Sequence, residues 1–203
     1  MALVREARLT DAERLLEIYG YYVENTAVSF EYTTPSLEEF LDRMKGTMEW
    51  FPYVVVEEDG IVAGYAYAGP FAKRAAYSWC CELSIYIDKG SRGRGLGRAL
   101  YAALEDKLRK MGYVNMYACI AWPETEDEYL TTDSADFHRH LGFSEAGRFR
   151  KCGYKFGRWY TMIWMEKTIG ERFTRQPPVT CPDGLREDPL SPISRERGAF
   201  NET

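Results

Sequence analysis

The stretch Asp88-Lys89-Gly90-Ser91-Arg92-Gly93-Arg94-Gly95-Leu96-Gly97-Arg98 decides how the rest of the chain is read. Before it, residues 78–87 are apolar, aromatic and β-branched, which predicts a central strand. After it, Leu96, Leu100, Leu104 and Leu108 recur every four residues on one helical face, and Gly112 is placed to end that helix. A helix start presents unpaired N–H groups and a partial positive charge. Glycines let that backbone approach phosphate oxygens, and arginines add charge-assisted bonds. A strand, this loop and a helix therefore predict a pyrophosphate cradle.

Two common cradles are excluded by spacing. In a Gly-x-Gly-x-x-Gly dinucleotide turn the third glycine would fall at Arg98, and the loop follows roughly the fourth strand rather than the first. No Gly-Lys-Ser/Thr follows four variable residues, so it is not a Walker loop. An arginine-glycine segment for RNA would be longer and unstructured.

Working outward, residues 3–9 read as a first strand. Thr10 to Glu13 reads as a capping box opening a helix that carries Leu15, Leu16, Ile18, Tyr19, Tyr22 and Val23. A second helix starts at Ser36. Residues 53–57 and 61–68 form a hairpin across Asp59-Gly60, ended by Gly69-Pro70. Strand 113–121, an acidic loop at 123–132, a short helix at 134–141 stopped by Gly142, and strands near 144–152 and 159–166 complete the order β-α-α-β-β-β-α-β-α-β-β. This is a mixed α/β single sheet. Five of the nine prolines fall in the last part of the chain. Hence residues 1–168 are expected to form the domain and 169–203 an extended or disordered tail.

The net charge of −5 argues against general nucleic-acid binding. Five cysteines without Cys-x-x-Cys spacing and only two histidines argue against a metal site and fit a reducing cytoplasm. The N-terminal residues have no signal-peptide pattern, and no apolar run reaches membrane-spanning length.

The loop and its setting resemble the GNAT superfamily of N-acetyltransferases, whose pyrophosphate signature Arg/Gln-x-x-Gly-x-Gly/Ala is matched by Arg92, Gly95 and Gly97. Within it the chain is similar to the phosphinothricin and methionine-sulfone acetyltransferases. The similarity is carried by Asn25 to Phe30, Tyr67 to Phe71, Arg74 to Tyr77, Glu82 to Ile87, His138 with Leu141-Gly142-Phe143, and Gly153 to Trp159. The resemblance implies a mostly antiparallel twisted sheet flanked by helices, with central strands splayed around acetyl-CoA. It also implies a small amine as acceptor, such as phosphinothricin or methionine sulfone or sulfoximine, and a homodimer. One departure stands out: the family's Asn before the fourth helix, which touches the coenzyme, is absent from residues 122–133.

The same resemblance distributes roles. Arg92, Gly93, Arg94, Gly95, Leu96, Gly97 and Arg98 would hold the diphosphate. Backbone N–H groups of Ile85, Tyr86 and Ile87 would meet the thioester and pantetheine. Glu82 stands in an otherwise apolar strand, where burial would raise its pKa, and it matches the family's base. His138 matches a position implicated in catalysis, where imidazole can act as acid or base near pH 7. Phe30 and the turn Arg74, Ala75, Ala76 and Tyr77 would meet the acceptor, with Arg74 able to fork onto a carboxylate or phosphinate. Two other readings stay open: a protein or peptide acetyltransferase, whose acidic 124–128 loop would draw a basic peptide, and a non-catalytic coenzyme-binding module.

Overall fold

The structure, a computed structural model, describes residues 2–181. Its strands are β1 (Ala2–Glu6), β2 (Tyr53–Glu58), β3 (Ile61–Pro70), β4 (Cys80–Ile87), β5 (Asn115–Trp122), β6 (Ser144–Lys155) and β7 (Arg158–Thr168). Its helices are α1 (Ala12–Asn25), α2 (Leu37–Met48), α3 (Leu96–Met111) and α4 (Asp133–His140). The seven strands form one open sheet in the order β1-β2-β3-β4-β5-β7-β6. Every neighbouring pair is antiparallel except β4 and β5, which run parallel.

That exception organises the molecule. β4 and β5 pair only through Cys80, Cys81 and Glu82 against Asn115, Met116 and Tyr117, and then diverge. The β3–β4 ladder shows which groups face the resulting gap. Asp88 N–H donates to the Ala63 carbonyl at 2.8 Å, so the opposed pairs Tyr86/Tyr65 and Ser84/Tyr67 exchange their bonds in the same way. Leu83, Ile85 and Ile87 therefore turn their N–H and C=O groups toward the gap.

Helices cover both faces. α1 and α2 pack on Tyr53, Val55 and Tyr65, with Tyr86 against them. α3 packs on Val54, Val56, Ala66, Leu83 and Met116 from the other side. The leucine stripe of α3 is fully used: Leu96, Leu100, Leu104 and Leu108 are all buried, each stabilising the fold by about 1.5–3 kcal/mol. Gly112 closes α3 in the left-handed region at φ 95°, where a side chain would strain. Asp59 and Gly60, both at positive φ, make the tight β2–β3 turn.

The structure departs from the sequence reading in three places. β1 ends at Glu6, and a 3₁₀ turn spans Leu9–Asp11. Thr10 does not cap α1. The Asp11 carboxylate instead accepts the Arg8 N–H at 2.7 Å and is forked by Arg5 at 2.8 Å through both oxygens. β3 also runs on through Pro70 rather than stopping at Ala68. Finally, the segment after β7 packs on the domain: Thr180 N–H donates to the Met111 carbonyl at 2.9 Å, and Val179 and Cys181 are buried. The remaining tail, from residue 182 on, lies outside the described residues.

One glycine holds the loop after α1 to the far edge of the sheet. A Cβ on Gly153 of β6 would fall 1.9 Å from the Phe30 ring. We expect Gly153→Ala to lower stability by about 1–3 kcal/mol, as overpacking does. Thermal denaturation of Gly153→Ala, Phe30→Ala and the double variant checks this: the double variant should lose less than the sum of the singles, and strict additivity would contradict the contact.

Candidate functional site

The cradle expected at residues 88–98 is built as a run of turns. Asp88 caps a 3₁₀ turn over Lys89–Ser91 by accepting the Gly90 N–H at 2.8 Å, while its other oxygen pairs with Arg14 of α1 at 2.6 Å. Gly93 and Gly95 both sit at positive φ, with nothing within 4 Å of where a Cβ would be. They leave the first N–H groups of α3 open to the outside, an arrangement suited to an anion. The Arg92 guanidinium lies 5.0 Å from the centre of the Tyr22 ring and so is held over α1.

A groove of about 680 Å³ runs from this cradle. Arg92, Gly93, Gly95, Leu96, Gly97 and Arg98 line it, as do Ile85 and Ile87 of the gap. Two expected contacts lie elsewhere. Arg94 is drawn to Glu58, Nη1 to Oε2 at 2.6 Å, and is not part of the groove wall. Tyr86 spends its N–H on β3. Ile87 already has a partner: its N–H donates to the Tyr22 hydroxyl at 3.3 Å, and that hydroxyl donates to the Ile87 carbonyl at 2.6 Å. Of the three backbone donors read from the sequence, Ile85 is the one left facing the gap unpaired by β3 or Tyr22. Glu128 to Thr131 form the opposite wall, where the resemblance had an asparagine.

At its inner end the groove meets a cavity of about 220 Å³, sharing Val28, Ile85 and Ser134 with it. Glu82, Tyr101, Cys119 and His138 converge here, so the two candidate catalytic side chains line one chamber. Burial raises the Glu82 pKa above the ordinary carboxylate value. Burial also lowers His138, to about 4, although its bond to Ser134 works the other way. The tautomer follows from the partners. His138 Nδ1 lies 2.6 Å from the Ser134 carbonyl, which can only accept, so Nδ1 carries the proton. Nε2, 2.9 Å from the Tyr101 hydroxyl, is then the acceptor. The sequence reading of His138 as acid or base near pH 7 is corrected: at neutral pH the ring is uncharged and has no imidazolium proton to give. α4 can bring His138 this close because Gly97 has no side chain; a Cβ there would come within 2.9 Å of the Phe137 ring.

Phe30 lines the inner cavity, but Arg74, Ala75, Ala76 and Tyr77 do not. They form a separate 3₁₀ turn, Ala75–Tyr77, at the rim. Tyr77 meets the edge of Phe71 at 5.7 Å, and Phe71 stacks on Tyr117 at 4.3 Å and abuts Trp164 at 5.5 Å. Tyr117 is the register partner of Glu82. The turn thus connects to the Glu82 face of the sheet through an aromatic wall rather than directly.

Sequence reasoning gave no role to Tyr101 and placed Lys155 only within the Gly153 to Trp159 stretch that carries the resemblance. Lys155 is 2 % exposed. Its Nζ donates to the carbonyls of Val23 at 2.7 Å, Thr26 at 2.9 Å and Ser29 at 2.6 Å, capping the end of α1 and fixing the loop above the cavity. Ala27 N–H joins that loop to the Tyr129 carbonyl at 3.0 Å, completing a roof. The acidic loop is occupied internally: Arg158 grips Asp127 at 2.9 Å and Glu128 at 2.8 Å, and Glu126 accepts the Thr132 N–H at 2.8 Å. Among the described residues no group of three or more His, Cys, Asp or Glu could hold a metal ion, and no helix is long and apolar enough to cross a membrane.

A model of the acetyltransferase (GNAT) domain matches residues 4–164. The chain is 31 % identical over 164 residues to phosphinothricin N-acetyltransferase of Streptomyces viridochromogenes, covering 81 % of this chain and 86 % of that one. It is 30 % identical over 169 residues to the L-methionine sulfoximine/L-methionine sulfone acetyltransferase of Salmonella typhimurium, covering 83 % and 95 %. The crystal structure of a GNAT superfamily phosphinothricin acetyltransferase from Sinorhizobium meliloti in complex with AcCoA superposes with a TM-score of 0.80 at 33 % identity, over 91 % of this chain and 97 % of that one.

The charge state of His138 has a measurable consequence. Unfolded, the ring takes a proton below about 6.5, whereas folded it stays neutral down to about 4. Between those values the unfolded chain binds the extra proton, so stability falls as pH drops through the window and is restored above it. Glu82, raised in the fold, contributes with the opposite sign, so the comparison must isolate His138. We expect wild type to lose up to ~3 kcal/mol more than His138→Asn between pH 7 and pH 4, measured by urea denaturation. Equal pH dependence of the two proteins would contradict the neutral assignment.

Proposed function

The chain belongs to the GNAT acetyltransferase family and is an N-acetyltransferase using acetyl-CoA, and we propose that its acceptor is the primary amine of a small amino-acid-like molecule of the phosphinothricin or methionine sulfone/sulfoximine kind. The observation that carries this reading is the meeting of two spaces. A groove headed by open helix-terminal amides joins, at Ile85 and Ser134, a chamber that holds a carboxylate of raised pKa. The groove is large enough for an extended coenzyme arm, and the glycines offer the diphosphate bare backbone.

In this reading Arg92 and the amides at Gly93, Gly95 and Gly97 hold the diphosphate. The Ile85 N–H is aimed into the gap where the thioester oxygen gains negative charge, and preorganised donors of this kind are often the largest catalytic contribution. Glu82 takes a proton from the acceptor ammonium. The free amine nitrogen attacks the thioester carbon, the C–S bond breaks, and the sulfur takes up a proton. That proton balances the one the nitrogen sheds as the amide forms; Tyr101, whose hydroxyl hydrogen is committed to the His138 Nε2, lines the same chamber. No enzyme-bound acyl group is required, and burial holds the Cys119 thiol up at about 12, far from the thiolate a nucleophile needs.

The peptide alternative has less support, because two carboxylates of the acidic loop that would attract a basic chain, Asp127 and Glu128, are already paired with Arg158. The proposal places the enzyme in the cytoplasm, acting without metal and apart from nucleic acid and membrane, as a homodimer. Exposed Phe149, Tyr154 and Trp159 on the β6–β7 hairpin support the last point.

Free-thiol release across an amine panel with acetyl-CoA tests the acceptor class. Methionine sulfone or phosphinothricin should be turned over and basic peptides should not. Glu82→Gln should lower kcat by about 10²–10⁴-fold while calorimetry finds acetyl-CoA affinity little changed. Undiminished turnover would remove Glu82 from the mechanism.

A further inference from the structure

The segment after β7 lies beyond the residues matched by the family model, yet two of its groups reach the acceptor side of the sheet. The Arg172 guanidinium donates from Nη2 to the Asn115 Oδ1 at 2.9 Å, and Asn115 Nδ2 donates to the Tyr117 hydroxyl at 3.1 Å. Arg172 can only donate, so the orientation of the Asn115 amide is unambiguous. Asn115 is buried at 5 % exposure, and both ends of its amide are used. Tyr117 in turn carries the stacked ring of Phe71, which meets Tyr77 and Trp164. Tyr117 also stands opposite Glu82 in the strand register.

The second group is the Pro177 carbonyl, which accepts the indole N–H of Trp79 at 2.6 Å. Trp79 links the Arg74–Tyr77 turn to β4, and its own carbonyl accepts the N–H groups of Val114 at 2.9 Å and Asn115 at 3.3 Å. The segment is itself fixed. Gln176 Oε1 accepts the Phe173 N–H at 2.9 Å, Thr180 is bonded to Met111, and Val179 is fully buried.

We propose that Arg172 is a positioning residue for the acceptor: through Asn115 it orients Tyr117 and thereby the Phe71 wall beside Glu82, with the Pro177–Trp79 bond steadying the other end of the same wall. The appended segment thus sets acceptor affinity and leaves coenzyme handling alone. The coenzyme groove contains none of Arg172, Asn115, Tyr117, Phe71 or Trp79. This rests on the reading that the Glu82 face of the sheet receives the amine.

The test uses full-length Arg172→Met, Arg172→Lys and Trp79→Phe, assayed with acetyl-CoA and methionine sulfone. A lost bond to a charged donor that orients a buried amide should raise the amine KM by about 5–10-fold in Arg172→Met. The acetyl-CoA KM and kcat should stay within about twofold, with Arg172→Lys restoring part of the loss. Trp79→Phe should move the amine KM in the same direction. An unchanged amine KM, or a parallel rise in both KM values with a fall in Tm, would overturn the proposal. A second readout separates its failure from that of the assigned function. If wild type turns over no amine in the panel, the function reading falls. Positioning is then judged by NMR: Tyr117 and Phe71 ring resonances that broaden or shift in Arg172→Met, with the 92–98 amides unmoved, uphold it, and unmoved rings refute it.

Discussion

The divergence of β4 from β5 is the constraint on which the rest of the molecule depends. A parallel pair held by three residues on each strand leaves Leu83, Ile85 and Ile87 with backbone groups turned into a gap. Buried N–H and C=O groups must find partners, so the gap has to be filled. The fold fills its outer end with the Tyr22 hydroxyl, which serves both polar groups of Ile87. It leaves the middle, at Ile85, open to the groove and the chamber. An opening in a sheet thereby leaves the Ile85 backbone facing the groove and chamber without a loop of its own.

The gap also needs walls, and these come from unlike sources. α3 delivers the open amides at its start and Tyr101 one turn further in. α4 is packed against α3 through bare Gly97 and brings His138. The roof is two loops with little regular structure, joined by one backbone bond and held from below by Lys155. A lysine buried this deeply is pushed below its ordinary pKa by desolvation. Three carbonyls, two of them from the last turn and the end of α1, are the kind of negative surface that can keep such a charge inside. The acidic loop is tied to the turn end of the same hairpin through Arg158. The β6–β7 hairpin therefore supports the roof from two directions.

The elements with strong local signals were legible in the sequence. The order of strands and helices, the extent of α3 and the glycine-rich turn all follow from periodicity and punctuation. Glu82 stood out as a lone acid in an apolar strand. What escaped depends on contacts between distant segments. Tyr101 lies within the apolar face of α3 and reads as packing until α4 supplies an acceptor for its hydroxyl. Lys155 follows a bulge between Phe149 and Gly153 that resets the alternation of β6, so a simple count of every second residue does not reveal its direction. Thr10 looked like a helix cap because Glu13 stands three residues on. Arg5 overrode it: bound to both Glu57 and Asp11, it fixes the chain one residue later. The Arg74 turn lay near the acceptor face, but its distance from the chamber is set by Phe71 and Tyr117, which no local pattern links.

Proton traffic in the chamber follows from these placements. Two groups usually interchangeable as acids and bases have been pushed in opposite directions by the same cause. Burial raises the carboxylate and lowers the imidazole, because a dry site disfavours the charged form of each. Glu82 is therefore made a better base, while His138 is left neutral with its single N–H spent on the Ser134 carbonyl. The only lone pair His138 can offer is at Nε2, and the Tyr101 hydroxyl occupies it. An imidazole in that state cannot protonate a leaving sulfur, but it can strengthen the polarity of the hydroxyl bonded to it and fix where that oxygen lies. In the acetyl transfer we propose, acceptance of the amine proton belongs to Glu82, while the mutually bonded Tyr101–His138 pair shapes another wall of the chamber. The carboxylate comes from β4 and the bonded pair from α3 and α4, and Ile85 lines the same chamber.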